Sequence, residues 1–390
     1  MKKIKNLQSL TGIILIINLY LQLPAYPYTG LCCGKCGGNM PLNIPGGGVP
    51  ETFEYRTKIS YTYMNMDGLK EGRSDVKLRE ILGDPANGKF MAAPKSMAMQ
   101  MGSFSLGYSF TDDFFAGFMA MWNDNTMPMR FNSKMQNMTG REGYDMESAG
   151  FGDTMFMAKY RLYADDPLMP KKEYSLLFGL SIPTGSIDKK NKSHPLKARQ
   201  DELLPYSMQT STGTIDPTVG FLYEASSSPH WWGINSYITP RFTDNHRGYH
   251  LGSEAKIDMY YMYQFRYNFL AEFQINAKFA DSIHGEADSA RNGSSGRATK
   301  GDPSSPYMTP LWDPDNYGGT KLFATAGIQW QPFPLHILNL QLSLPIYQDL
   351  NGPQLKDDYR LMLTWYIEFV TNKSRRYLGE KGRDSGNLGF

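Results

Sequence analysis

The feature that most constrains this chain is an alternation of apolar and polar side chains with a period of two residues. It is clearest over residues 269–280. A period of two is that of a β-strand, because successive side chains of a strand point to opposite faces. The apolar face of this segment comprises Phe269, Ala271, Phe273, Ile275, Ala277 and Phe279, and the polar face comprises Glu272, Gln274, Asn276 and Lys278.

The same pattern recurs from the region of Phe53 to that of Phe369. Most of the segments are about as long as the ~9–11 residues that a tilted strand needs to cross a bilayer. The predicted strands lie near 52–66, 97–110, 114–124, 152–163, 173–183, 212–225, 231–242, 254–266, 269–280, 319–331, 337–347 and 359–369.

The connections between these segments alternate in length. Short ones at 111–113, 164–172, 226–230, 267–268 and 332–336 alternate with longer, turn-rich ones at 67–96, 125–151, 184–211, 243–253, 281–318 and 348–358. Short periplasmic turns and longer external loops are typical of bacterial outer-membrane barrels. We therefore predict an all-β fold, a transmembrane antiparallel β-barrel of about twelve strands with up-and-down topology. A soluble β-sandwich also alternates along its strands, but it does not require this alternation of connections.

Composition argues against two other classes. The 390 residues have a mean hydropathy of −0.45 although 13% are aromatic. A helical membrane protein would need runs of ~20 apolar residues and would be more hydrophobic. The 40 basic and 38 acidic residues nearly cancel, so the sequence predicts no nucleic-acid partner.

Both ends of the chain lie outside the predicted barrel, which spans residues 52–369. Residues 1–25 are predicted to be a signal peptide, because Lys2, Lys3 and Lys5 precede an apolar stretch that is short for a membrane helix. This signal predicts export to the outer membrane of a Gram-negative-type bacterium. Residues 370–390 are predicted to be a polar tail, so that the final strand ends at Phe369 or at Phe390.

Residues 26–51 are predicted to form a flexible segment rich in Cys, Gly and Pro. Its cysteines, Cys32, Cys33 and Cys36, are compatible with one disulfide and a spare thiol, with an exposed tail, or with a soft-metal or redox site. Three thiols alone do not complete a tetrahedral zinc site.

Because the apolar side chains of each strand face lipid, the polar side chains that alternate with them face the lumen. The mixed charges there predict either a salt-bridged network that stiffens the wall or a hydrated conduit with a modest preference for anions. The predicted lumen residues are Glu54, Arg56, Lys58, Lys159, Arg161, Lys256, Asp258, Arg266, Glu272, Lys278, Arg360 and Glu368.

Methionine is concentrated in one part of the chain, with fifteen of the 23 between Met64 and Met157. The alternation along each strand, together with the predicted topology, places nine of them on the lumen face at the extracellular ends of the first four strands. Thioethers are soft ligands suited to copper, but methionine also packs irregular gaps and forms adaptable apolar surfaces for a substrate. All three roles stay open. The candidate metal ligands are Met64, Met66, Met97, Met99, Met101, Met119, Met121, Met155, Met157, Cys33 and Cys36.

The sequence predicts no enzymatic activity. The serine-nucleophile motif Gly-x-Ser-x-Gly and the zinc-helix motif His-Glu-x-x-His are absent from the sequence. The predicted topology places His230 and His336 in periplasmic turns and the other four histidines in or beside external loops. A serine mechanism needs a base within hydrogen-bond reach of the nucleophile.

Six short segments carry a resemblance to a known family, and they lie at 60–68, 90–94, 97–101, 148–153, 181–186 and 344–355. Together they resemble a family of bacterial outer-membrane transporter proteins named for the meta-pathway of phenol degradation. The resemblance covers roughly residues 52–369 and implies a porin-like barrel without an established catalytic site.

Together these features predict a porin-like channel for a small solute. Alternatives are a copper-binding or copper-uptake barrel and a structural or binding barrel with a plugged lumen. The predicted partners are outer-membrane lipid, lipopolysaccharide, the barrel-assembly machinery and the solute. The sequence predicts no cofactor, with copper as the one alternative.

Overall fold

The computed structural model describes residues 40–47, 49, 52–166 and 170–374. The predicted signal peptide, the three cysteines and residues 375–390 of the polar tail lie outside these residues. Within the described part of the chain, no helix is both long and apolar enough to cross a bilayer.

The described residues form sixteen strands and three short α-helices. The helices are α1 (Leu78–Ile81), α2 (Ser133–Thr139) and α3 (Asp288–Arg291), and 3-10 turns lie at Pro85–Asn87, Lys197–Arg199, Tyr206–Met208, Pro310–Trp312 and Pro314–Asn316. The strands are β1 (Tyr55–Gly72), β2 (Ser74–Val76), β3 (Ala92–Pro94), β4 (Ser96–Ser109), β5 (Phe114–Phe131), β6 (Gly143–Phe151), β7 (Thr154–Ala164), β8 (Lys172–Ile182), β9 (Asp216–Ser227), β10 (His230–Thr239), β11 (Tyr249–His250), β12 (Glu254–Arg266), β13 (Phe269–Ala280), β14 (His284–Gly285), β15 (Gly319–Phe333) and β16 (His336–Phe369).

Eleven of these strands form a closed antiparallel ring, in the order β1-β4-β5-β7-β8-β9-β10-β12-β13-β15-β16 and back to β1. Neighbouring strands of an antiparallel ring run in opposite directions, so an odd number of straight strands cannot form a closed antiparallel ring. β16 resolves this because it turns back at Gly352, whose φ is +60°. Its residues 336–350 pair with β15 and its residues 350–369 pair with β1. Residues 348–358, predicted as a loop, are therefore strand.

Large apolar side chains cover the outer surface of the wall. On β13, Phe273 is 64% exposed while its neighbour Glu272 is fully buried, and on β16 Leu363 and Trp365 are exposed on either side of buried Thr364. Apolar side chains exposed on strand after strand match the lipid-facing band of a membrane barrel. The predicted transmembrane antiparallel barrel is confirmed, and its outer surface fits the outer membrane of a Gram-negative bacterium.

Several strands continue past their predicted ends at the side of the long connections. β5 runs to Phe131, and its distal half pairs with β6, so most of the predicted loop at 125–151 is a hairpin. The sequence concealed this hairpin because its Asn, Asp and Gly residues are weak strand formers. α2 lies at its tip, where Asn132 Oδ1 accepts from the Met135 N–H at 2.8 Å and Gly140 ends the helix. This side of the barrel is extracellular by the usual orientation.

Candidate functional site in the barrel interior

The interior of the barrel encloses most of the polar residues that the sequence predicted to line it. Arg266 is the exception, because the register of β12 shifts between Gln264 and Arg266 and the alternation ends there. Glu54, Arg56, Lys159, Arg161, Asp258, Glu272 and Glu368 are buried, and Lys58, Lys256, Lys278 and Arg360 are half-buried. Whether these residues line a conduit stays a prediction.

The periplasmic half of the interior is filled by residues 40–47, which we call the inner segment. Its side chains Met40, Leu42 and Ile44 are at most 3% exposed. They pack against wall residues near the short turns, namely Leu222, Tyr260, Met262, Leu270, Ile337 and Tyr366. Burial of such a side chain stabilises by roughly 1.5–3 kcal/mol relative to exposure. Residues 40–47 of the segment predicted at 26–51 are therefore packed against the wall, and the flexibility of 26–51 stays a prediction.

Wall side chains also hydrogen-bond the inner segment. Lys58 Nζ donates to the Leu42 carbonyl at 3.0 Å, and an Arg56 Nη1 donates to the Gly47 carbonyl. The amide of Asn43 exchanges two hydrogen bonds with the amide of Gln274, at 2.9 and 3.0 Å. The two basic residues thus bind backbone carbonyls, which need a donor when they are buried.

Two tight turns give the inner segment its compact shape. The Ile44 N–H donates to the Pro41 carbonyl and the Gly47 N–H donates to the Ile44 carbonyl, at 3.2 and 3.0 Å. Gly46 has a φ of +84°, and a Cβ there would lie 2.9 Å from Leu177 Cδ2. A glycine is therefore required where the segment approaches the wall.

Buried Glu272 orients two of the amides that bind the inner segment. Its carboxylate accepts from Gln329 Nε2 at 2.9 Å, from Asn339 Nδ2 at 2.9 Å and from Gln341 Nε2 at 2.5 Å. Gln329 Nε2 also donates to the Met40 carbonyl at 3.1 Å, and Gln341 Nε2 also donates to Asn43 Oδ1 at 2.8 Å. Each of these two NH₂ groups therefore bridges the carboxylate and the inner segment.

A second buried network lies on the wall of β7, β8 and β9. Lys159 Nζ is 3.0 Å from Glu173 Oε1 and 2.6 Å from Glu224 Oε2, and Arg161 pairs with Asp113 at 2.6 Å. The Lys159 side chain is only 4% exposed. A buried charge is tolerated when it is paired in this way. The mixed-charge set predicted from the sequence thus includes ion pairs.

Towards the extracellular side, β12, β13, β15 and β16 carry a further polar arc. Glu254 pairs with Lys256 at 3.0 Å and with Lys278 at 2.9 Å, and Lys321 pairs with Asp357 at 2.5 Å. These pairs place two carboxylates and three lysines within one arc of the wall.

The methionines predicted to be metal ligands lie on the neighbouring arc of β1, β4, β5 and β7. Strand register places Met64 beside Met99, Met66 beside Met97, and Met119 beside Met155. Met97 is buried in an apolar cluster against which Met66 and Met99 pack, and the cluster also contains Met91, Met127, Met129, Met135, Met146, Met208 and Met308 with Leu69, Phe131 and Leu204. Met64, Met101, Met119, Met121, Met155 and Met157 are half-buried. Cys33 and Cys36 lie outside the described residues, and copper binding stays a prediction.

The long connections pack over this cluster as a cap. Within it, His194 is 1% exposed and lies edge-on to Tyr144, with ring centroids 4.7 Å apart. Its Nδ1 accepts from the Leu196 N–H at 3.1 Å. Burial, together with the charge of Arg199, lowers the pKa of His194 to about 4. The imidazole is therefore neutral at pH 7.

Acidification is expected to loosen the cap around His194. An unfolded cap takes up a proton on this imidazole near its ordinary pKa of about 6.5, whereas the folded cap does so only near pH 4. The contribution of His194 to stability is thus complete above about pH 6.5 and is lost as the pH falls towards 4. Hydrogen exchange of residues 184–211 at pH 7.5 and 5 measures this loss. The variant H194F should show a smaller pH dependence, and an identical one would contradict the assignment.

The inner segment is the part of the site that sequence reasoning missed. Its prolines and glycines are typical of a loop, and that pattern dominated the prediction. The available signal was the short alternation of Met40, Leu42 and Ile44 with Pro41, Asn43 and Pro45. The amides of Gln329, Asn339 and Gln341 were also missed, because uncharged polar residues on a strand look alike whether or not they converge on one carboxylate.

A closed antiparallel wall with an apolar outside and a polar, packed interior is the architecture of outer-membrane channels. No family model and no curated protein matches the sequence. Among solved structures, an outer-membrane channel from Pseudomonas putida F1 is 12% identical, with a TM-score of 0.53 and coverage of 85% of this chain and 99% of that one. At this identity the likeness shows the fold.

Two further barrels are less similar. The NanC porin is 6% identical with a TM-score of 0.38, and it covers 80% of this chain and 98% of its own. The toluene transporter TodX of Pseudomonas putida is 6% identical with a TM-score of 0.37, and it covers 83% of this chain and 91% of its own. Scores this low add nothing to the fold assignment.

Proposed function

We propose that the protein is a porin-like outer-membrane channel for a small solute and that the inner segment closes its periplasmic end. The observation that carries this proposal is the burial of Met40, Leu42 and Ile44 inside a closed ring of strands. A segment that serves only to link the barrel to an upstream part of the chain has no need to occupy the interior.

The contacts of the inner segment suit a removable plug. It is held by three apolar side chains and by hydrogen bonds to Lys58, Gln274, Gln329 and Gln341. Hydrogen bonds of this kind contribute about 0.5–1.5 kcal/mol each, because water replaces them when they break. Water that enters the polar interior on opening would satisfy the wall groups that the segment leaves.

The finer assignments belong to the same proposal. Resemblance to the family named for the meta-pathway of phenol degradation supports a transport role. Lipid, lipopolysaccharide and the barrel-assembly machinery are the partners expected of such a barrel, and the absence of enzymatic activity is part of the proposal. The arc of half-buried methionines facing paired charges would set which solutes enter.

The variant E272Q tests the plug. The substitution replaces one of the two acceptor oxygens by an NH₂ group, which then faces either the Gln329 donor or the donors of Asn339 and Gln341. We expect longer and more frequent open states in planar bilayers than for the wild type. Asn43→Ala, which removes the partner of Gln274 and Gln341, should shift gating in the same direction.

The matched control is D258N, on the neighbouring strand. Asp258 is also a buried carboxylate that accepts from Asn276 Nδ2 at 2.7 Å, and among the described residues it makes no hydrogen bond to the inner segment. It should gate like the wild type. Absence of current from the wild type, E272Q and N43A, all folded by their gel migration, would refute the channel. Currents that are equal in all four proteins would refute the plug.

A further inference from the structure

A short ribbon outside the barrel wall brings two histidines together. β11 and β14 pair with each other and join the connection after β10 to the connection after β13. His250 lies directly opposite His284, and their imidazole rings stack with centroids 5.1 Å apart and planes at 21°. Opposed residues of an antiparallel pair have Cβ atoms about 4.5–5.5 Å apart, so one ion can reach a nitrogen of each ring once the rings turn out of the stack.

A carboxylate holds each ring at one nitrogen. His250 Nδ1 is 2.6 Å from Asp244 Oδ1, and His284 Nε2 is 3.2 Å from Asp281 Oδ2. An ionised carboxylate only accepts, so the neutral imidazole carries its proton on the nitrogen beside it. The lone pair is then on Nε2 of His250 and on Nδ1 of His284. Metal-ligating histidines in proteins almost always donate their other N–H to such a partner.

We propose that His250 and His284 together bind one divalent transition-metal ion. Zn²⁺, Ni²⁺ and Cu²⁺ are the ions that imidazole ligands suit. Asp244 and Asp281 fix the tautomers, and water completes the coordination. No group of three or more His, Cys, Asp or Glu residues suitable for a metal occurs among the described residues, so the site is a two-imidazole chelate.

The ion has a path to the site and a structural effect there. The side chain of His284 is 52% exposed and that of His250 is 14% exposed, so one ring faces solvent while the other is held in the cap. Two separate external connections meet at the ion, which therefore staples them. A link that closes long loops restricts the unfolded chain and stabilises the folded cap.

Calorimetric titration of the full chain with Zn²⁺ at pH 7.5 tests the site. Because the cysteines are also soft ligands, Cys32, Cys33 and Cys36 are first replaced by Ser. We expect one saturable site per chain, lost in both H250N and H284N. D244N keeps both imidazoles but loses a tautomer partner, so its affinity should fall by roughly 10–100-fold.

The matched control is H246N, because His246 lies in the same connection, 62% exposed, beside Asp188 rather than beside a second imidazole. It should bind Zn²⁺ like the parent. With Cu²⁺, the electron paramagnetic resonance spectrum should show nitrogen couplings that disappear in H250N. Absence of saturable binding, or binding that survives both H250N and H284N, would overturn the proposal.

Discussion

Deletion of residues 40–47 is expected to raise the single-channel conductance of the purified barrel several-fold. The inner segment fills the periplasmic half of the interior with Met40, Leu42 and Ile44. Its removal leaves the amides of Gln274, Gln329 and Gln341 to be hydrated, which favours a water-filled path for ions. Planar-bilayer recordings at fixed salt measure the change directly.

A length-matched variant separates packing from chain length. Replacing residues 40–47 by eight Gly and Ser residues keeps the chain but removes the apolar side chains and the Asn43 amide. It should conduct nearly as well as the deletion. If only the deletion opens the channel, the upstream chain rather than the inner segment blocks it. If neither variant conducts more than the wild type, the segment does not close the barrel.

Replacement of Lys159 by Met is expected to destabilise the barrel by roughly 3–5 kcal/mol, the range for removing one partner of a buried ion pair. Lys159 Nζ lies between Glu173 and Glu224, at 3.0 and 2.6 Å, and without it two enclosed carboxylates face each other. Chemical unfolding of the reconstituted protein, followed by tryptophan fluorescence, gives the free energy of unfolding.

The control for this prediction is K256M. Lys256 is 30% exposed and pairs with Glu254, which keeps Lys278 as a second partner at 2.9 Å. We expect a loss below about 1 kcal/mol, as for partly exposed ion pairs. Adding E173Q and E224Q to K159M should recover much of its stability. Equal losses of unfolding free energy in K159M and K256M would show that burial of the ion pairs of Lys159 does not contribute to stability.

The strands were predictable because a strand that crosses lipid must present apolar side chains on its outer face. On β12 and β13 the predicted and observed bounds agree, since apolar and polar residues alternate over most of each strand. Where strands leave the bilayer that requirement ends, and β6 and the distal half of β5 went unrecognised. The bend at Gly352 was also missed, because the strand residues on both sides of it are polar and look like those of a loop.

The candidate site was less predictable because its contacts join distant parts of the sequence. The alternation along β13 predicts that Glu272 faces inward, but no nearby residue in the sequence indicates that Gln329 and Gln341 converge on Glu272 or that Gln329 also binds the Met40 carbonyl. The pairing of His250 with His284 likewise depends on two loops that meet only in the folded cap. Only the half-buried methionines were grouped by sequence alone, since their strands are neighbours.

The pairing of the first wall strand, β1, with the last, β16, constrains the order in which the wall can form. Tyr55 pairs with Phe369, so the edge of β1 that is synthesised first waits for the final stretch of chain before it gains a partner. Contacts this far apart in sequence form slowly, and an open strand edge recruits other chains in the meantime. A chain that stops short of β16 therefore leaves two unpaired strand edges, because the wall closes only when β16 pairs with β1.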